Sequence, residues 1–265
     1  MKDRSIKFLN SKAFNINKKL NSKPWKYVYK ELMPKILYKK IQKEVDFLQQ
    51  TKVSEYWNKI IKEYQEKGLT NDELLVKAKK NFEKKGIENK KIIWQYWGQG
   101  WDYQNLPDIV KLCYKSVEKY KGEYTVIRID NKNFFEYITL PSIIIEKLEN
   151  KKMNYTHFSD ILRLALLDCY GGLWLDATIF LTDYLTKEIE KDYFMFQRYE
   201  KEENPKKWEK INSDYFSWNK KNKVKVLNSV IYSKKGSKVI HTLLDLMMIF
   251  WENQNEIPHY FFFQI

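Results

Sequence analysis

Cysteine is scarce in this chain: Cys113 and Cys169 are the only two in 265 residues. Two thiols so far apart form neither a disulfide framework nor the paired spacing of a metal-ligand set. Both sit in apolar helical patterns and read as buried free thiols, which fits a reducing compartment. Eight Gly and six Pro are too few for a disordered or fibrous chain. No apolar run approaches the length needed to span a bilayer. The opening MKDRSIKFLNSKAF has no continuous apolar core of the kind a secretory signal carries. These absences lead to the expectation of a cytoplasmic protein without a spanning helix. Histidine is also rare, at three residues. His157 reads as a core or capping residue, and His241 and His259 as structural.

Apolar and aromatic residues are plentiful. Hydrophobic residues make up 43% of the chain, with nineteen Tyr, fifteen Phe and nine Trp, enough for a real core. The length suits one large domain with a smaller appendage. The net charge of +14 is uneven. Residues 1–90 carry 23 Lys and Arg against 11 Asp and Glu, whereas residues 91–265 carry 25 against 23. The N-terminal third is therefore a Lys-rich helical region, read as a solvated face or as a surface meeting anionic lipid or an anionic polymer. Nucleic acid is disfavoured, because Arg4 is the only arginine there and arginine usually carries base and bidentate phosphate contacts.

Periodicity divides the chain near Lys91. Before it, Val28, Leu32, Ile36 and Leu37 form an apolar stripe that Pro34 should break. Helices are expected over 53–66 and over 71–84, the latter capped by Asn71. After it, KIIWQYW reads as a buried strand ended by GQG. Pro107 opens a helix over 107–120, and YTVIRID alternates as a strand over 124–130. Helices are expected at 131–138, 141–151, 157–170 and 237–253, and strands at 173–181, 193–198 and 226–233. Strands alternating with helices predict an α/β sheet with mostly parallel pairing and a ligand site at the carboxyl ends of its strands. The expected boundaries are a helical N-terminal subdomain, 1–90, and a catalytic domain, 91–265. The closing HYFFFQI is an odd place to stop, so the sequence is expected to end inside a structural element.

The most informative stretch is SDILRLALLDCYGGLWLDAT, 159–178. Asp160 and Arg163 are three apart and share a face of an otherwise apolar helix. A buried structural pair and a ligand-facing pair both fit that spacing. Gly171 and Gly172 end the helix, one of them as a left-handed cap. In the strand that follows, Trp174, Asp176, Thr178 and Phe180 alternate onto one face, with Asp176 and Thr178 about 7 Å apart. Two oxygen-bearing groups at that spacing suit a hard divalent cation that also takes phosphate oxygens, although a capping Asp and a β-favouring Thr explain them equally.

The order D-x-x-R, a short apolar stretch, then G-G-x-aromatic-x-D-x-D resembles that of glycosyltransferases with a DXD motif. More closely, the chain resembles bacterial capsular polysaccharide synthesis proteins, a group related to glycosyltransferase family 32 and the glucosylating toxin domains. KIIWQYWGQG, 91–100, is similar to that group's opening strand. NSVIYSKKGSKVI, 228–240, and HYFFFQI are similar to its later elements, so the resemblance covers about 91–265.

The resemblance implies a GT-A-like, Rossmann-type fold and transfer of a sugar, with retention, from a nucleotide-diphosphate sugar to a glycan or lipid-linked glycan. A UDP-sugar is the leading donor. Carried over by position, Trp97 packs on the base, Asp160 contacts ribose or sugar, Arg163 contacts sugar or phosphates, and Trp174 is the aromatic before the motif. Asp176 is the first acid, and Thr178 stands where the second acid usually holds manganese or magnesium. Thr is a weaker ligand than a carboxylate, so another cation such as Arg198 could neutralise the leaving diphosphate. Asn228 is expected on the acceptor side. The basic residues 1–90 would contact an anionic membrane at the inner face, and no nucleic acid is expected. Two other readings remain open: a protein-glycosylating effector, and a catalytically inactive carbohydrate- or membrane-binding module.

Overall fold

The computed structural model describes residues 12–79 and 90–265. The first helices are α1 (Lys12–Asn21), α2 (Trp25–Leu32) and α3 (Lys35–Lys67). Next come β1 (Lys77–Ala78), β2 (Ile92–Tyr96), α4 (Asp108–Tyr120), β3 (Thr125–Ile129) and β4 (Ile138–Thr139). The chain continues with α5 (Ser142–Glu149), α6 (Tyr155–Tyr170), β5 (Gly172–Leu175) and β6 (Tyr193–Gln197). It closes with α7 (Pro205–Ile211), β7 (Val226–Ser233) and α8 (Lys238–Asn253). Two compact units interleave along the chain. One takes the residues up to Gly68 with 197–226 and 253–265; the other takes 69–196 and 227–252. The expected boundary at 90/91 falls inside the second unit.

The first unit is built on the 33-residue α3, which Pro34 separates from α2. Proline cannot continue the preceding helix but suits the position just before a new one. The helix expected over 53–66 is the second half of α3. Its inward side, Val45, Phe47, Val53, Tyr56 and Ile60, is buried. The aromatic segment at 259–264 packs here. Phe262 is fully buried, and its ring stacks on Trp57 at 6.3 Å. The Trp57 indole donates to the Phe262 carbonyl at 2.6 Å, and His259 pairs with Asp46 at 2.7 Å.

The second unit holds a five-stranded sheet in the order β3-β2-β5-β7-β6, with β1 and β4 paired antiparallel beside it. β2 pairs parallel with β3 and with β5, and β5 pairs antiparallel with β7. The α/β class and the helix-flanked sheet match expectation, but the sheet is mixed. β2 is buried throughout and α6 from His157 to Leu167, as strands and helices covered on both sides must be. Because β2, β3 and β5 run the same way, their carboxyl ends collect at one sheet edge. The start of the antiparallel β7 lies at that edge too, since Leu175 pairs with Val230 and the Asp176 amide donates to the Ser229 carbonyl.

The two glycines after α6 are required by geometry. Gly171 and Gly172 have φ of 72° and 104°. A Cβ on Gly171 would lie 2.6 Å from the Lys235 amide nitrogen, and one on Gly172 would lie 2.6 Å from the Ile92 carbonyl oxygen. Only glycine takes both that backbone and that approach. The tight turn carries α6 straight into β5 between β2 and β7.

Three expectations are corrected here. The helix expected over 71–84 is, as far as Lys79, a short 3-10 turn (Asp72–Leu74) followed by β1; residues 80–84 lie outside the described residues. Asn71 does cap that turn, accepting from the Glu73 amide. The helix over 131–138 is a 3-10 turn at Phe134–Glu136 leading into β4. The strand over 173–181 stops at Leu175, because Asp176–Ile179 closes a turn through Ile179 N–H to Asp176 C=O at 2.9 Å.

Candidate active site

The site is assembled by the α6–β5 turn and the start of β7. Helix α6 begins with Asn154, whose side chain accepts from the His157 amide at 3.0 Å and lies 2.7 Å from the His157 ring. His157 is thus part of a helix cap, as read from the sequence. Two turns on, Asp160 and Arg163 are buried, at 4% and 2% exposure. The Asn228 amide donates to Asp160 at 2.7 Å. Arg163 donates through Nε to the Ser159 carbonyl at 3.1 Å, through NH2 to the Ser159 hydroxyl at 3.0 Å, and through NH1 to the Asn228 carbonyl.

The same guanidinium bridges both acids that the sequence singled out. Arg163 NH2 lies 3.4 Å from Asp160 and 3.2 Å from Asp176. Its centre sits 5.1 Å from the middle of the Trp174 ring, and the Trp174 indole donates to the same Asp176 oxygen at 2.7 Å. Asp176 is therefore held by one hydrogen bond and one ion pair on the same oxygen, while its side chain stays 32% exposed. A carboxylate buried with Arg163 alone would be structural. One held rigidly from behind and open in front can meet a ligand.

Burial pushes the Asp160 carboxyl up to about 7; the Asp176 charge adds to the rise, while Arg163 and the Asn228 amide oppose it. The folded protein thus binds this proton more tightly than the unfolded chain does. Stability gained by holding the proton is present at low pH and is lost as pH rises toward 7. Urea melts should show wild-type stability falling by up to about 1.4 kcal/mol per pH unit between roughly pH 5 and pH 7 relative to Asp160→Asn, which cannot titrate there. Parallel stability curves for the two proteins would contradict the assignment.

Trp97 follows β2, its amide donating to the Ile129 carbonyl at 3.0 Å. It packs partly buried against Leu106, Val110 and Ala177, the neighbour of Asp176. Thr178 is exposed in the turn after β5 rather than aligned with Asp176 along a strand. Asn228 lies behind the acids as a buried partner of Asp160, not on an open acceptor side. Arg198 belongs to the other unit, where it donates to the carbonyls of Tyr215 and Val224. His241 pairs with Asp168 at 3.0 Å and lies 3.7 Å from Asp245, a link between α6 and α8.

Sequence reading missed one feature, a cavity of about 650 Å³ whose walls include Asn131, Phe134, Phe135, Ile145, Met153 and Tyr155. It lies at the amino end of α6 and just past the end of β3. Gly98, next to Trp97, lies against it, since a Cβ there would sit 3.3 Å from both Asn131 and Tyr155. Asp160 and Arg163 do not line this cavity; they follow Tyr155 by about 8 and 12 Å along the helix rise. All of its lining residues fall within 131–155, and what closes them around a cavity is the packing of the turn after β3 against α5 and the start of α6, which no residue pattern spells out.

The donor set for a metal is small. Among the described residues no group of three or more His, Cys, Asp or Glu could hold an ion. One half-open carboxylate, with an exposed hydroxyl two residues on, would suit only a magnesium-like ion that keeps waters and takes most of its ligands from substrate phosphates. They do not fit a resident metal held by protein groups alone.

The model of the capsular polysaccharide synthesis protein family matches residues 34–265, which includes all of α3 and every residue of the site. The chain belongs to this family. The match extends well upstream of residue 91, where the sequence resemblance began. Over 102 residues the chain is also 31% identical to the O-glycosyltransferase PaGT of Phomopsis amygdali, a stretch that is 35% of this chain and 25% of that protein. The chain therefore aligns with about a quarter of that relative's length. Among the described residues no helix is long and apolar enough to cross a membrane.

Proposed function

We propose that this family member is a retaining glycosyltransferase that moves a sugar from a nucleotide-diphosphate sugar to a glycan acceptor during synthesis of a capsular or other surface polysaccharide. The observation that carries the reading is the half-open Asp176, fixed by Arg163 and Trp174 at the carboxyl edge of the parallel strands, where such sheets bind ligands. Family membership and the similarity to an O-glycosyltransferase support it.

In this reading the nucleoside lies along the Trp97–Gly98 loop, beside Asn131 and Tyr155, and the sugar reaches Asp176. Asp176 touches the donor and fixes sugar or ribose hydroxyls by hydrogen bonds. Asp160 and Arg163 are positioning residues: they are sealed inside and act through Asp176. Asp176 and Thr178 would hold a divalent cation, manganese or magnesium, that arrives with the donor; it would supply positive charge to the departing diphosphate. The bond from C1 to the diphosphate oxygen breaks, and the acceptor oxygen bonds to C1 on the same face. The acceptor proton leaves with the diphosphate. Charge placed in advance at that centre stabilises an oxocarbenium-like transition state.

The test is release of nucleoside diphosphate from a panel of uridine-, guanosine- and cytidine-linked sugars, with and without manganese. Release from a uridine-linked sugar is the expected result. A folded protein inert to the whole panel would favour the carbohydrate-binding module, to which the neutral Thr178 points.

A further inference from the structure

The corner between α2 and α3 presents an apolar surface ringed by lysine. Leu32, at the end of α2, is 80% exposed, and Ile36, in the first turn of α3, is 85% exposed. Leu37, Trp25 and Tyr27 are also open to solvent. One exposed aliphatic side chain is ordinary, but several placed together across one turn make an apolar patch of the kind that marks an interaction surface. Pro34 sets the corner, because it ends one helix and begins the next with both ends of the apolar set outward.

The charge around this corner has one sign. From residue 12 to residue 40 there are nine lysines and a single acid, Glu31. Lys23, Lys26, Lys30, Lys35, Lys39 and Lys40 are all exposed. Lys19 lies 5.3 Å from the Trp25 ring and helps set its orientation.

We propose that this corner docks on an anionic lipid bilayer. Leu32, Ile36 and Leu37 enter the boundary between headgroups and acyl chains. Trp25 and Tyr27 sit at headgroup level, where an aromatic body and a polar edge are both accommodated. The lysine stems lie along the apolar layer and their ammonium groups meet lipid phosphates. Each lysine near an anionic surface raises partition roughly fivefold. A nucleic acid would satisfy the lysines but leave Leu32 and Ile36 in water, and the region from 12 to 40 holds no arginine for base contacts. The surface belongs to the first unit, and the inference does not depend on the chemistry assigned to the second.

Vesicle flotation of the full chain tests it. The protein should float with phosphatidylcholine vesicles containing phosphatidylglycerol, stay behind with pure phosphatidylcholine, and release as salt is raised. Lys35→Glu/Lys39→Glu should lower partition by at least about tenfold. Leu32→Asn/Ile36→Asn, with the charge untouched, should do the same. All four side chains are exposed, so both variants should melt like the wild type. Absence of flotation with anionic vesicles would overturn the proposal, as would normal flotation of Leu32→Asn/Ile36→Asn. Displacement of the wild type from vesicles by a single-stranded oligonucleotide that binds Leu32→Asn/Ile36→Asn equally well would assign the surface to nucleic acid instead.

Discussion

Replacing Asp176 with alanine is expected to lower sugar transfer by at least about a hundredfold while leaving a folded protein. The two halves of this expectation have separate causes. Transfer falls because Asp176 is the open carboxylate of the site, aimed by Trp174 and Arg163. The fold survives because the residue is about one-third exposed and lies in a turn, so its removal empties little of the core. Arg163 loses one of several partners but keeps Asp160, Ser159 and the Asn228 carbonyl. The expected loss of stability is about 1.5–3 kcal/mol, that of one hydrogen bond to a charged group. Asp176→Asn should be nearly as inactive, because it keeps the shape and removes the charge. Initial rates with the preferred donor, read beside thermal melts, check both halves.

Arg163 is expected to behave in the opposite way. Arg163→Ala should cost about 3–5 kcal/mol of stability, because it leaves Asp160 buried without its cation and opens a cavity in α6. Loss of transfer in this variant alone would be ambiguous. The informative protein is the double variant Asp160→Asn/Arg163→Met, which removes both charges and fills the space. It should regain much of the lost stability, since neutral groups of similar volume replace a buried pair. It should not regain transfer, because nothing is left to orient Asp176 from behind. Recovery of both properties together would mean that the pair only pins α6 in place.

The parts legible in the sequence were those decided over a few neighbouring residues. The apolar run around Asp160 and Arg163 could only be a buried helix, and the double glycine after it could only be a tight reversal. Pro34 reads as a break and Pro107 as a helix start, and the structure keeps both. Less was legible where short segments had weak patterns. Asn71 was recognised as a cap, yet its helix is a single 3-10 turn, because the chain then pairs with β4 instead of continuing. The strand through Asp176 looked longer than it is, because Ala177–Leu181 carries strand-forming residues that the turn at Asp176 withdraws from the sheet. The α7 helix has Pro205 at its first turn and went unread among charged residues.

Non-local arrangement was out of reach altogether. Nothing near Phe262 says that it stacks on Trp57, about 200 positions earlier, or that the two units interleave. The candidate site shows the same divide. Spacing pairs Asp160 with Arg163 on one helix face and puts Trp174 and Asp176 together on the segment that follows. Their joining through one guanidinium, with Asn228 behind them, depends on the register of β5 against β7. That register also turns Asn228 from an expected acceptor contact into a support for Asp160.

Calorimetric titration of nucleotide sugars into the intact protein bears most directly on whether Asp176 grips an activated sugar. The expected result is saturable heat with at least one donor in the wild type, strengthened by manganese, and its disappearance in folded Asp176→Ala. Unchanged donor affinity in that variant, or a folded wild type that takes up no nucleotide sugar at all, would contradict it.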